Sequence, residues 1–387
     1  MKLTINKKLF LNSWGLTERS ASSAGSVSIL SSILVKADFD SVTFHATDIK
    51  TSIICRAAGV TVVEPGEAVF PVKMVSDLFK KTPGEEFSLD IKDGRVTLKA
   101  GRSKYNFSTY PVREFPALPS SDSADVFCAI SAAELARALD EGTLAASSGE
   151  EFPLYLSSAN LLISGEKLSV VSTDTRRLAL SSAAVSGGAD GQAALLPMKG
   201  VKELQRILAS LSPETEVSVL FDSAQFYFKT DSLEFTVRRV ESKFPPYEKI
   251  LPKSSTLTVV TDRGELISAL ERVDVIVRDF NRMVVLDVVP DSTVILRGKA
   301  PDFGQAREEV AAEAQGEGLR IAVNSKFFLE ALKVLRDPEV MLSFNGQSGH
   351  MSVKRSEGED FLCLIAPINL SEDELKMFDS EPGTDGI

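Results

Sequence analysis

The chain repeats itself three times, and this constrains its fold more than any other feature. The stretch "FPVKMVSDLFKKTPGEEFSLDIKDGRVTLKA" starts at Phe70. The same grammar returns from Leu196 in "LPMKGVKELQRILASLSPETEVSVLFDSAQFYFKT" and from Val323 in "VNSKFFLEALKVLRDPEVMLSFNGQSGHMSVKR". Each reads as a short helix, a turn and two strands. Lys73, Lys199 and Lys326 hold equivalent places, 126 and 127 residues apart. Upstream, Asp48, Asp174 and Asp302 recur at spacings of 126 and 128. The Phe-Pro pairs at Phe115 and Phe244 are 129 apart. Three independent markers give one period, so the chain is three copies of a domain of ordinary size.

Each copy is itself double. A helix over about 7–17 precedes alternating strands "SVTFHA" and "SIICRA"; a second, from Pro71 to Lys81, precedes "FSLDIK", "RVTLKA" and "KYNFSTY". Period-two alternation predicts antiparallel sheets with one buried face. The fold class is therefore α+β, with a helix-plus-antiparallel-strands unit twice per domain. "LPSSDSAD" (118–125) and "LPKSST" (251–256) have the Pro/Ser composition of boundaries. They set domains at 1–120, 125–251 and 255–370, with an acidic tail over 371–387 that composition predicts to be disordered.

Composition excludes several classes. With 43% apolar and 25% charged residues and no long apolar run, the chain reads as soluble and cytoplasmic, without a signal peptide or membrane helix. Three scattered cysteines and two distant histidines, His45 and His350, supply neither a disulfide framework nor a metal site. Phosphate-loop, dinucleotide and serine-hydrolase motifs are missing, so no catalytic residue, metal or cofactor is assigned. The net charge of −11 disfavours nucleic acid over the surface as a whole. The second helix of each copy nevertheless carries a basic face. Lys73 and Lys80 lie opposite Met74, Val75, Leu78 and Phe79. Lys199, Lys202 and Arg206 lie opposite Val201, Leu204 and Leu208, and Lys326 and Lys333 opposite Phe327, Ala331 and Leu335. The first helices of copies two and three lack this bias; residues such as Glu134, Asp140 and Glu141 keep them acidic. A solvated helix face is the plain alternative for any one of the three.

These residues resemble the beta sliding clamps, processivity factors of the bacterial replicative DNA polymerase. The likeness covers residues 1 to about 370 and rests on the repeat, "TDTRRLA" (173–179), "FPPYEKILP" (244–252), "GRSKYNFSTYP" (101–111) and "LIAPINL" (364–370). It implies a head-to-tail homodimer of DNA-clamp domains closing a ring, with helices lining the hole. The basic helix faces would then meet duplex DNA without reading its sequence, together with Tyr155. The resemblance also implies an apolar pocket for short peptides of polymerases, the clamp loader and repair proteins. Its residues here are Leu156, Thr173, Thr175, Arg176, Arg177, Leu178, Pro245, Lys249, Ile250, Ile365, Ala366, Pro367 and Ile368. Thr175-Arg176 replaces the family's Gly-His, Ala366 and Ile368 stand where methionines are usual, and Ala24 and Leu154 depart from the family's DNA-contact residues. The implied dimer contact sets Tyr105 and Phe107 on Val275 and Ile276, with Lys73, Arg102 and Lys104 facing Asp302, Glu308 and Glu309. The rival to this reading is a scaffold repeat protein that never meets nucleic acid.

Overall fold

The structure is a computed structural model that describes residues 1–21, 28–149, 151–289, 293–301, 303–371 and 378. Among these residues the order strand, helix, strands, helix, strands occurs three times. The helices are α1 (Lys7–Thr17), α2 (Val72–Lys81), α3 (Ala132–Gly142), α4 (Met198–Leu208), α5 (Arg263–Val277) and α6 (Ser325–Val334). Several start on a strand-ending Asn or Asp whose side chain accepts from the first turn. Asn6 caps α1 through Leu9 N–H at 3.2 Å, Asp262 caps α5 through Glu265 N–H at 2.7 Å, and Asn324 caps α6 through Lys326 N–H at 3.0 Å.

The chain divides into two compact units, residues 1–133 with 185–192 and 199–239, and residues 134–184 with 193–198 and 240–387. The first holds a five-stranded and an eight-stranded antiparallel sheet; the second holds a nine-stranded and a four-stranded one. In each unit the larger sheet runs across a repeat boundary. Strand Thr51–Arg56 pairs with Leu233–Arg238, placing Ile53 opposite Phe235. Strand Arg177–Ala184 pairs with Phe361–Ile365, placing Ala179 opposite Cys363. The two junctions are repeats of each other, since Thr51 and Arg177 are 126 apart and Leu233 and Phe361 are 128 apart. Two strands in the corresponding positions have one neighbour each. Ser103–Ser108 is an edge of the five-stranded sheet and Gly304–Ala311 an edge of the four-stranded one.

Alternation decides what each sheet buries. In the second unit Val284, Leu286 and Val288 point into a core with Leu266, Leu270 and Phe328, while Val285 and Asp287 point the other way. In the first, Phe10, Trp14, Phe44 and Phe79 pack with ring centroids 4.9–5.5 Å apart. Trp14 also donates from Nε1 to Ser76 Oγ at 2.9 Å, and Ser76 donates to Glu18 at 2.7 Å. That polar chain turns α2. Its buried residues are Val75, Ser76 and Phe79, and Met74, predicted to face the sheet, is 36% exposed. On α6 the core takes Phe328, Leu329, Ala331 and Leu332, while Phe327, predicted to lie in the core, is half-buried beneath Arg177. Cys55, Cys128 and Cys363 are free and buried, and burial pushes their thiols up to about 11, 12 and 12. Among the described residues no helix is long and apolar enough to cross a membrane.

Candidate peptide-docking site

The segment Thr173–Arg177 is a turn built by its own side chains. Asp174 Oδ1 accepts from the backbone N–H groups of Arg176 and Arg177, both at 3.0 Å. Thr173 Oγ1 accepts from Thr175 N–H at 3.1 Å and donates to the Arg177 carbonyl at 2.8 Å. These bonds hold Thr175 at φ +74°, a left-handed conformation that β-branched residues resist. The preceding repeat builds the same turn. Asp48 Oδ1 accepts from Lys50 and Thr51 N–H, Thr47 Oγ1 accepts from Ile49 N–H, and Ile49 sits at φ +75°. The recurring aspartates are thus turn-builders. Asp302, the third marker, lies outside the described residues, as does Ala24.

Each turn is anchored by charge. Asp48 pairs with Lys199 on α4. Arg177, 9% exposed, donates to Asp174 at 3.0 Å and to Glu330 on α6, and its guanidinium lies 4.2 Å from the Phe327 ring centroid.

Leu178, the next residue, turns to the opposite face of the sheet. There Val171, Leu178, Tyr247 and Leu364 form a buried cluster, with Leu180, Phe244, Leu251 and Leu362 packed around it. Two of the expected wall residues have their side chains on the helix side of the sheet. Ile365 is fully buried in the core on the helix side, because alternation points it away from its neighbour; Leu364 is the strand's contribution to this face. Arg177 likewise faces α6 and supports the turn from behind. The remaining predicted residues sit as follows. Thr173 pairs with Leu178 across the strands, and Ala366 N–H donates to the Arg176 carbonyl at 2.9 Å. Thr175 and Arg176 are exposed, and Leu156 is 9% exposed. Pro245 is half-buried, Lys249 is exposed and Ile250 is 46% exposed, all on the Phe244–Leu251 segment that supplies Tyr247. Pro367 is half-buried; Ile368 donates its N–H to Ala322 O at 2.7 Å and packs in a smaller cluster with Val285, Ala322 and Leu370. Phe378, the described residue of the tail beyond Ser371, joins that cluster and is 8% exposed; the rest of the tail lies outside the described residues. Leu364, Val171, Leu180 and Tyr247 belong to this cluster without being among the expected residues; the period-two pattern of "RLALSS" and "FLCLI" is the signal that places the strand residues there.

The predicted DNA-facing residues separate. Lys73, Lys80 and Lys202 are exposed and have no ion-pair partner among the described residues. Lys199 pairs with Asp48, Arg206 with Glu203, Lys326 with Glu330 at 3.8 Å and Lys333 with Glu271 at 2.7 Å, so four of these seven basic residues are locally offset. Tyr155 packs edge-on against Phe244 at 5.9 Å, which places it beside the Leu178–Leu364 cluster. Of the predicted dimer residues, Tyr105 and Phe107 are half-buried on the edge strand, Arg102 and Lys104 are exposed, Val275 is 58% exposed and Ile276 is half-buried on α5. The acidic partners are altered. Arg272 grips Glu308 through two bonds of 2.8 and 2.7 Å and holds its carboxyl below the usual range, and Arg307 takes Glu309. Phe303, 85% exposed beside the edge strand, was not anticipated.

Three family models for the DNA polymerase III beta subunit match the chain in order between residues 1 and 369. The N-terminal domain model covers residues 1–119, the central domain 129–246 and the C-terminal domain 248–369. The chain belongs to the DNA polymerase III beta subunit family. Its fold is three tandem clamp domains of helices and antiparallel sheets. Relatives include the beta sliding clamp of Pseudomonas putida, 28% identical over 373 residues, covering 96% of this chain and 100% of the relative. That of Synechococcus elongatus is 27% identical over 375 residues with the same coverage. Among solved structures, the DNA polymerase sliding clamp from Bacillus subtilis superimposes with a TM-score of 0.89 at 25% identity, covering 96% of this chain and all of that one. A sliding clamp from Pseudomonas aeruginosa bound to griselimycin gives 0.90 at 25% identity and the same coverage. The rival scaffold reading finds no support among these relatives.

Proposed function

We propose that two copies of this chain close head to tail into a ring around duplex DNA and tether DNA polymerase to it, the work of a sliding clamp. The observation that carries the proposal is the pair of equivalent junctions. Thr51–Arg56 joins Leu233–Arg238 as Arg177–Ala184 joins Phe361–Ile365. Continuing that rule joins Gly304–Ala311 of one protomer to Ser103–Ser108 of its partner, and the ring closes with every repeat in the same environment. Tyr105, Phe107, Val275 and Ile276 would supply the apolar part of that contact, and Lys73 would meet Asp302 as Lys199 meets Asp48.

A closed ring is held on DNA by topology, so its grip can be weak. The lysines Lys80 and Lys202, which the protomer contact leaves uncommitted, suit this, since each phosphate contact is sequence-blind and readily exchanged. The acidic remainder of the chain, net −11, would keep duplex off the other surfaces. The Leu178–Leu364 face takes short peptides with apolar anchors from the polymerase, the clamp loader and repair proteins. The role is binding rather than catalysis, and it is exercised in the cytoplasm.

The test is retention on DNA. The chain is loaded onto nicked circular DNA with a clamp loader and passed over a sizing column. It should co-elute with the circle and leave when the circle is linearised. Retention on linear DNA, or no retention on the circle, would overturn the ring.

A further inference from the structure

A cavity opens on the sheet that carries the Leu178–Leu364 cluster. It measures about 230 Å³ and is lined by Lys253, His350, Lys354 and Asn345 above Ser343 and Ser352. No Asp or Glu lines it. Among the described residues neither lysine nor His350 has an ion-pair partner. Ser343 and Ser352 are 4% and 2% exposed, and the Ser343 hydroxyl is buried without a hydrogen-bond partner. A buried hydroxyl in that condition is rare and calls for an explanation. Nitrogen donors and hydroxyls converging on an acid-free space suit an anion.

The register fixes where this space lies. Ser352 is opposite Ser343 on one side and Leu364 on the other, and Leu364 is opposite Leu178. Cross-strand partners share a face, so the serines and the apolar cluster form one row. With strands about 4.8 Å apart, the cavity floor is roughly 5–10 Å from Leu364. An extended peptide advances about 3.3 Å per residue. A residue two or three positions from an apolar anchor on Leu364 therefore reaches it.

We propose that this cavity binds the carboxylate of an acidic residue in the peptide that docks on the Leu178–Leu364 face. The proposal rests on the docking reading above and names the chemistry of the partner. Lys253 and Lys354 supply the charge, and His350 with the serines supplies shorter-range bonds. On a chain of net charge −11, such a pocket is what lets an acidic segment approach at all.

The test uses two labelled ten-residue peptides with the same Leu and Phe anchors, one carrying Glu three positions before the first anchor and the other Gln. Binding to the full chain is read by fluorescence anisotropy. The Glu peptide should bind at least five times more tightly at low salt, and the ratio should shrink as salt rises. In a K253Q/K354Q variant the ratio should fall to about one with the affinity for the Gln peptide unchanged. Equal binding of both peptides to the unaltered chain would overturn the acidic subsite and leave docking intact. Failure of both to bind would overturn the docking reading and the subsite with it. A preference that emerges only when Glu372, Asp373 and Glu374 are changed to Gln, Asn and Gln would assign the cavity to the chain's own tail and refute the proposal.

Discussion

Replacing Thr175 with glycine should stabilise the protein, although glycine usually weakens one. Thr175 is exposed and held at φ +74°, and its only part in the turn is its N–H, which glycine retains. A residue with a Cβ pays about 1–2 kcal/mol in this conformation. Glycine removes that cost but adds about 0.5–1 kcal/mol of backbone entropy to the unfolded chain. The difference favours T175G by about 0.5–1 kcal/mol, or a rise of about 1–3 °C in Tm. The same arithmetic applies to I49G in the equivalent turn, because Ile49 is 66% exposed at φ +75° and glycine forfeits little buried area there. The two turns share no side-chain partner, so the double variant should show the sum. T175A keeps the Cβ and should gain much less. Urea and thermal denaturation of the four variants give the answer. A loss of stability in T175G or I49G would mean that the threonine or isoleucine side chain holds its turn and that left-handed strain is not the controlling cost.

Other outcomes follow from the same geometry. R177A strands Asp174 and Glu330 and removes the cation over Phe327, so it should cost about 2–4 kcal/mol in urea denaturation, with R177K losing about half. His45 is held at a pKa of about 4, down from 6.5, by burial and by Lys36. Its imidazole stays neutral in the fold while the unfolded chain takes up a proton, so stability should fall as pH drops from about 6.5 to about 4. The loss due to this one group is of order 3 kcal/mol, and comparison of pH–stability profiles with H45Q should isolate it.

The repeat was legible because lysines, aspartates and Phe-Pro pairs return on one period, and their spacing survives any change of environment. What those residues do was less visible. Asp48 and Asp174 marked the period, but their work as turn-builders appears only when Thr47 and Thr173 are seen completing the same hydrogen-bond pattern. The resemblance names Ile365 and not Leu364, whereas the two-residue alternation sends these neighbours to opposite sides of the sheet, Leu364 joining Leu178 and Ile365 the helix-side core. The stripe on α2 was misplaced by one residue since no pattern rule anticipates a serine buried between Trp14 and Glu18. Glu308 looked available for a partner until Arg272 was found holding it from the adjacent helix.

Sedimentation equilibrium at micromolar concentration bears most directly on the central claim, that a third junction like the two within the chain forms between two chains. The account predicts twice the chain mass of 41.9 kDa, falling to a single chain when Phe107 on the edge strand is changed to Asp. A strict monomer for the unaltered protein would contradict it.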